Sequence, residues 1–203
     1  MQEQTPYFSE VSIRLTIYDS ESFQYEDTIN FFIGTPITIY EESFDSGLGE
    51  WVVDGEWGLT DEPAIGSYAL TDSPNGDYGA ELTSVARLNV NLNLDFIANP
   101  YVSFSAQWDI EDGYDFIRFQ AYLEETGWIS MQGAYTITGN GASAQPIGEF
   151  GYDGIQSNWV EEKFYLAQLG GIKPSAFRFI QNSDQFVEGD GFVVDAFSIN
   201  GYS

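Results

Sequence analysis

Cysteine and histidine are both absent from the 203 residues. Without cysteine there is no disulfide framework, no thiolate nucleophile and no thiolate zinc site. Without histidine the chain lacks the usual general base near neutral pH and the commonest transition-metal ligand. Ser-His-Asp and Cys-His catalysis are excluded. Positive charge is scarce: 6 Lys+Arg stand against 32 Asp+Glu, a formal net charge of −26. Such a surface repels phosphate backbones and anionic bilayers, so no nucleic-acid or membrane partner is expected. No apolar run approaches the ~18 residues that a membrane span needs. Met1-Gln2-Glu3-Gln4 has neither the basic nor the apolar region of a signal peptide, and the expectation is a segment of a longer product.

What is there is period two. Val11, Ile13, Leu15 and Ile17 alternate with Ser12, Arg14, Thr16 and Tyr18, and Ile29, Phe31 and Ile33 follow suit. Leu88, Val90, Leu92 and Leu94 alternate with asparagines. Val102, Phe104, Ala106 and Trp108, then Ile117, Phe119, Ala121 and Leu123, repeat the pattern. Each run predicts a strand with one face in a core. Between them lie Asp54-Gly55, Asn75-Gly76, Asp112-Gly113, Asn140-Gly141, Asp153-Gly154 and Asp190-Gly191, all turn dipeptides. Aromatics at 17% and 21 glycines suit the same class. The expected fold is all-β, an antiparallel β-sandwich or jelly roll. A boundary is expected near Gly34-Thr35-Pro36. Residues 1–36 read as the last hairpin of a truncated immunoglobulin-like domain, because two strands do not make a domain alone. Residues 37–203 read as the complete module. The alternative is that residues 1–36 belong to one larger sandwich.

From Phe44 onward the motifs form an ordered set. Phe44-Asp45-Ser46-Gly47-Leu48-Gly49-Glu50-Trp51 comes first, then Trp57-Gly58-Leu59-Thr60 and Gly66-Ser67-Tyr68-Ala69-Leu70. Trp108-Asp109-Ile110-Glu111-Asp112-Gly113-Tyr114-Asp115, Gly127-Trp128 and Gly189-Asp190-Gly191-Phe192-Val193-Val194-Asp195 complete it. In this order they resemble the MAM-like or immune-inhibitor-A-like accessory module of secreted bacterial peptidases, a relative of the jelly-roll carbohydrate-binding modules. The resemblance implies an extracellular or cell-surface setting, tethering to other domains of a parent chain, and no catalysis by the module. It also implies a structural calcium between Asp45 and Asp195, with backbone oxygens from the Gly66-Ser67 bend. One departure stands out: a single acid, Asp195, precedes Ala196-Phe197 where the family has two.

Calcium takes six to eight oxygens, and an acidic chain supplies them. A second candidate group is Asp109, Glu111, Asp115 and Asp190, with Asp112 and Asp184 nearby; its spacing is not that of an EF-hand. The acidity reads equally as adaptation to salty water. Acids in this order do not reproduce a sandwich glycosidase pattern, and no enzyme activity is expected. Of five tryptophans, Trp108 follows an inward register and is expected in the core. Trp57, Trp128 and Trp159 lie nearer turns and are candidates for stacking on a ligand. The small, polar segment 140–148 reads as a mobile loop and a ligand lip. The expected function is a calcium-stabilised, non-catalytic accessory module of a secreted bacterial protein. The alternatives are a carbohydrate-binding module for a polysaccharide and an adhesion module for an extracellular protein.

Overall fold

The computed structural model describes residues 9–18 and 24–203. The first elements are β1 (Ser9–Tyr18) and β2 (Gln24–Ile33), an antiparallel pair. Then come β3 (Pro36–Glu42), β4 (Trp51–Asp54), β5 (Gly58–Thr60), β6 (Ala69–Thr71) and β7 (Thr83–Leu88). The long β8 (Ala98–Ile110) precedes β9 (Phe116–Leu123) and β10 (Gly127–Ser130). Short β11 (Ile137–Thr138) and β12 (Phe150–Gly151) lead to β13 (Gly154–Tyr165), a 3₁₀ turn at Leu166–Leu169, β14 (Ala176–Asn182) and β15 (Gly191–Tyr202).

Two antiparallel sheets stack as a jelly-roll sandwich. One runs β10-β9-β14-β7-β4; the other runs β13-β8-β15-β6-β5, with β3 also paired to β15. The first strand of the sandwich therefore lies beside the last, Glu42 opposite Phe197. Pro36 already pairs with Tyr202, and Thr35 exchanges backbone hydrogen bonds with Ser203. Thr35 and Pro36, within the expected boundary, are thus already bonded to the end of the last strand. Among the described residues β1 and β2 pair only with each other. Their Ile13, Leu15, Ile17 and Ile29 are exposed. The side chains of Phe31 and Ile33 lie outside the described ones.

The core is aromatic. Phe179 packs against Trp51, Trp57, Phe104, Phe119, Phe192 and Phe197, with ring centroids 5.1–6.4 Å apart. Alternation explains it: Phe177 and Phe179 on β14 and Phe119 and Ala121 on β9 point inward in register. Trp108 is buried as its register predicts. Every glycine of the six turn dipeptides has positive φ, from +67° to +117°. Gly191 is the most constrained, since a Cβ there would also strike the Asp72 carboxylate and Ser73 hydroxyl.

One strand reading is corrected. Residues 89–94 alternate but join no ladder. Their partner strand β4 begins at Trp51, opposite Leu88, and beyond the Asn89 amide's bond to Glu50 O the extended chain runs on without a ladder partner. Leu94 is buried and Val90 and Leu92 pack on the core, so the alternation reports packing rather than pairing.

Candidate functional site

The outer face of the sheet β10-β9-β14-β7-β4 carries an ordered grid of side chains. One row crosses all five strands in direct register: Ser130, Gln120, Arg178, Arg87 and Val52. Trp128 lies opposite Tyr122 in the row above. Asn182 lies opposite Thr83 further down. Trp128 and Tyr122 meet edge to face at 5.2 Å, and the Arg178 guanidinium sits 4.2 Å from the Trp128 ring centre.

Hydrogen bonds knit the grid together. Arg178 Nε donates to Gln120 Oε1 at 2.8 Å, and Gln120 Nε2 donates to Ser130 Oγ at 3.1 Å. Ser130 Oγ in turn donates to Glu149 Oε2. Arg118 Nη2 donates to Asn182 Oδ1 at 2.8 Å, and Asn182 Nδ2 donates to Thr83 Oγ1 at 2.8 Å. Planar polar groups are thereby held in fixed orientations beside an aromatic pair. At the Arg118–Asn182 end the face opens into a cleft of about 610 Å³ walled by Thr83, Ser143, Pro146 and Asp184. The segment 140–148 supplies Ser143, Ala144 and Pro146 to that wall, and hydrogen bonds tie it down. Gln145 Nε2 donates to Asp115 O and Asp153 Oδ2, and Ser143 Oγ donates to Asp184 Oδ2 at 2.6 Å.

Behind the cleft is a knot of carboxylates. One oxygen each from Glu111, Asp115 and Asp184 lies within 4.8 Å of the others. Asp115 is 1% exposed; it accepts the Tyr78 hydroxyl at 2.8 Å and the Asp184 amide at 2.7 Å. Glu111 Oε2 is buried with no hydrogen-bond partner. Burial and the neighbouring charges of Asp115, Asp184 and Glu188 raise the Glu111 carboxyl above its ordinary range. Burial likewise raises Asp115 against the hydrogen bonds it accepts. Asp184 is lowered by the Ser143 hydroxyl and the Phe186 amide. Calcium–oxygen bonds of about 2.3–2.6 Å let two ligands stand up to about 5 Å apart, so the three oxygens fit one such ion.

The predicted acids are thus regrouped. Asp109 and Asp190 lie apart from this knot, exposed along the outer side of the β8–β15 pair. β8 ends at Ile110, and the backbone then turns back on itself, with the Tyr114 and Asp115 amides donating to Glu111 O. That turn sends Glu111 inward while Asp109 stays on the strand's outer face. At the other group, Asp45 and Asp195 clasp one bend from both sides. Asp45 Oδ1 accepts the Ser67 and Tyr68 amides, which holds its carboxyl below the usual range. Asp195 Oδ2 accepts the Ile65 amide at 2.8 Å, and its Oδ1 accepts the Ala196 amide at 2.6 Å. Gly66 sits between them, where a Cβ would strike Asp45. Here backbone amides, not a third carboxylate, meet the two acids.

Of the three tryptophans, only Trp128 belongs to the grid. Trp57 is 4% exposed and stacks on Phe179, so it has no face for a ligand; the adjacent turn does not bring it out. Trp159 is half-buried at the β13 bulge, on the other sheet. Arg87, Arg118, Arg178, Gln120, Asn182 and Tyr122 were not among the predicted site residues. Their signal was the polar register of strands that contain no acid.

No protein-family model matches the chain, and no curated protein matches it. Solved structures do. The CBM22-1 xylan-binding domain of Paenibacillus barcinonensis Xyn10C aligns at 14% identity and TM-score 0.43, covering 84% of this chain and 98% of that one. A mannan-recognising carbohydrate-binding module, TmCBM27, aligns at 12% identity and TM-score 0.43, covering 83% and 99%. A cleaved adhesin domain of Lys-gingipain from Porphyromonas gingivalis aligns at 11% identity and TM-score 0.48, covering 80% and 98%. At these identities and scores no residue correspondence follows, and the site is described by its own geometry. No helix among the described residues is long and apolar enough to cross a membrane.

Proposed function

We propose that the chain is a non-catalytic, extracellular glycan-binding module, tethered to other domains and gripping its ligand on the outer face of the sheet β10-β9-β14-β7-β4. One observation carries this reading. Trp128 and Tyr122 adjoin a hydrogen-bonded lattice of Gln120, Arg178, Arg118 and Asn182 that runs into an open cleft. Stacking on the aromatic pair supplies apolar contact, and the lattice supplies oriented donors and acceptors. The parent protein in this reading is a secreted bacterial hydrolase or peptidase.

Affinity electrophoresis and calorimetry against a panel of polysaccharides test the reading. Trp128→Ala should weaken binding about tenfold or more, the loss of one aromatic contact of about 1.5 kcal/mol. Trp159→Ala, on the other sheet, should not. Equal affinity of wild type and Trp128→Ala would place the ligand elsewhere.

Calcium is the cofactor we infer, held by Glu111, Asp115 and Asp184 beside the cleft. The buried, unpartnered Glu111 Oε2 supports it, because a cation offsets the cost of burying that oxygen.

A further inference from the structure

Arg87, Arg118 and Arg178, half of the chain's 6 Lys+Arg, stand on one face of one sheet. Strands β7, β9, β10 and β14 hold no Asp or Glu, in a chain with 32 of them. Arg178 and Arg87 are directly opposed across two antiparallel strands. Like charges in that position repel and destabilise a sheet. Neither forms an ion pair with any described residue. Arg118 pairs with Glu149 at 3.9 Å, and its Nε is buried without a partner. Burial first, then the charges of Arg118 and Arg87, push the Arg178 guanidinium down to about 10. Carboxylates are abundant elsewhere on the molecule, yet of these three arginines only Arg118 has an ion-pair partner among the described residues.

We infer that this row takes an anionic glycan, with Arg87 and Arg178 as partners of its carboxylate or sulfate groups and Trp128 and Tyr122 beside the sugar ring. The inference rests on the glycan-binding reading and names its ligand class. Guanidinium groups match planar carboxylates and sulfate oxygens with paired donors. A bound anion relieves the Arg87–Arg178 repulsion that the folded chain leaves uncompensated. The net charge of −26 does not prevent this. At physiological salt, charges farther away than about 8 Å are largely screened, so the local row governs contact. The aromatic pair within the lattice favours a sugar polymer over other polyanions.

The experiment measures affinity at fixed physiological ionic strength. The probes are polygalacturonate, its methyl ester, a sulfated galactan, neutral xylan and mannan, and a single-stranded DNA. Polygalacturonate or the sulfated galactan should bind, and the preferred one identifies the anionic group. Methyl esterification should abolish polygalacturonate binding if carboxylate is that group. Arg87→Gln, at an exposed position, should weaken the anionic ligand about tenfold without lowering the melting temperature of the free protein, since it also removes the repulsion with Arg178. Neutral glycans binding as tightly as acidic ones would overturn the inference and leave glycan binding standing. Equal binding of DNA would overturn it in favour of charge alone. Binding of no polysaccharide would overturn both.

Discussion

Asp72 shows how much a single residue is asked to bear. It is fully buried; its Oδ1 accepts the Phe192 amide at 2.7 Å, and its Oδ2 has no partner. Burial pushes its carboxyl up to about 7, with Glu56 adding repulsion. Between about pH 4 and pH 7 the folded chain therefore holds a proton that the unfolded chain has lost. Stability contributed at this site falls as pH rises through that window, and the cost is complete above it. Asp72→Asn keeps an oxygen for the Phe192 amide and removes the charge. The variant should be more stable than wild type at pH 8, by up to about 4 kcal/mol, and equal to it near pH 4. Urea unfolding at the two pH values checks this; parallel pH profiles would show that Asp72 is not the source. Glu162 is the contrasting case. It too is buried, but it accepts the Ala134 and Tyr135 amides and the Tyr152 hydroxyl, so its oxygens are met.

At the scale of elements, β1 and β2 differ from the rest. Their apolar side chains Ile13, Leu15, Ile17 and Ile29 are exposed, whereas the inward residues of β8, β9, β14 and β15 are buried. A hairpin that buries so little adds little to the sandwich. Deleting residues 1–34 keeps Thr35 and its bonds to Ser203, and the shortened chain should still unfold in one cooperative transition. Loss of cooperativity would make the hairpin part of one larger unit. Phe179 on β14 is the opposite kind of position. It touches aromatic rings from both sheets, and Phe179→Ala should cost about 3–5 kcal/mol in the same unfolding measurement.

Across the whole molecule, charge is the dominant stress. A formal charge of −26 repels itself in the compact state. A divalent ion bound at Glu111, Asp115 and Asp184 would remove part of that repulsion and stabilise the native state by mass action, by about 2.7 kcal/mol at a hundredfold excess over its dissociation constant. Millimolar calcium should raise the melting temperature more than magnesium at equal ionic strength, because magnesium demands a tighter octahedron. Glu111→Gln with Asp184→Asn should remove the calcium-specific increment. Asp45→Asn and Asp195→Asn should keep it, since their partners are backbone amides. An increment lost in the Asp45 and Asp195 variants instead would move the ion to the bend at 65–68.

Period-two alternation and six Asp-Gly or Asn-Gly turns were enough to predict an all-β sandwich and to put Trp108 inside it. Side-chain alternation is a property of the strand itself, and positive φ is a property of glycine, so both are local. The alternation at 88–94 misled because extended chain buries alternate residues with or without a neighbouring strand. What sequence could not supply was adjacency. Glu111 meets Asp184, and Arg87 faces Arg178, across 73 and 91 positions of chain that only sheet order brings together. Trp57 lies beside a turn yet is buried because Phe179, far along the chain, stacks on it. The strand periodicity is written locally; the site is made by register, and register is settled when the two sheets close on a common core.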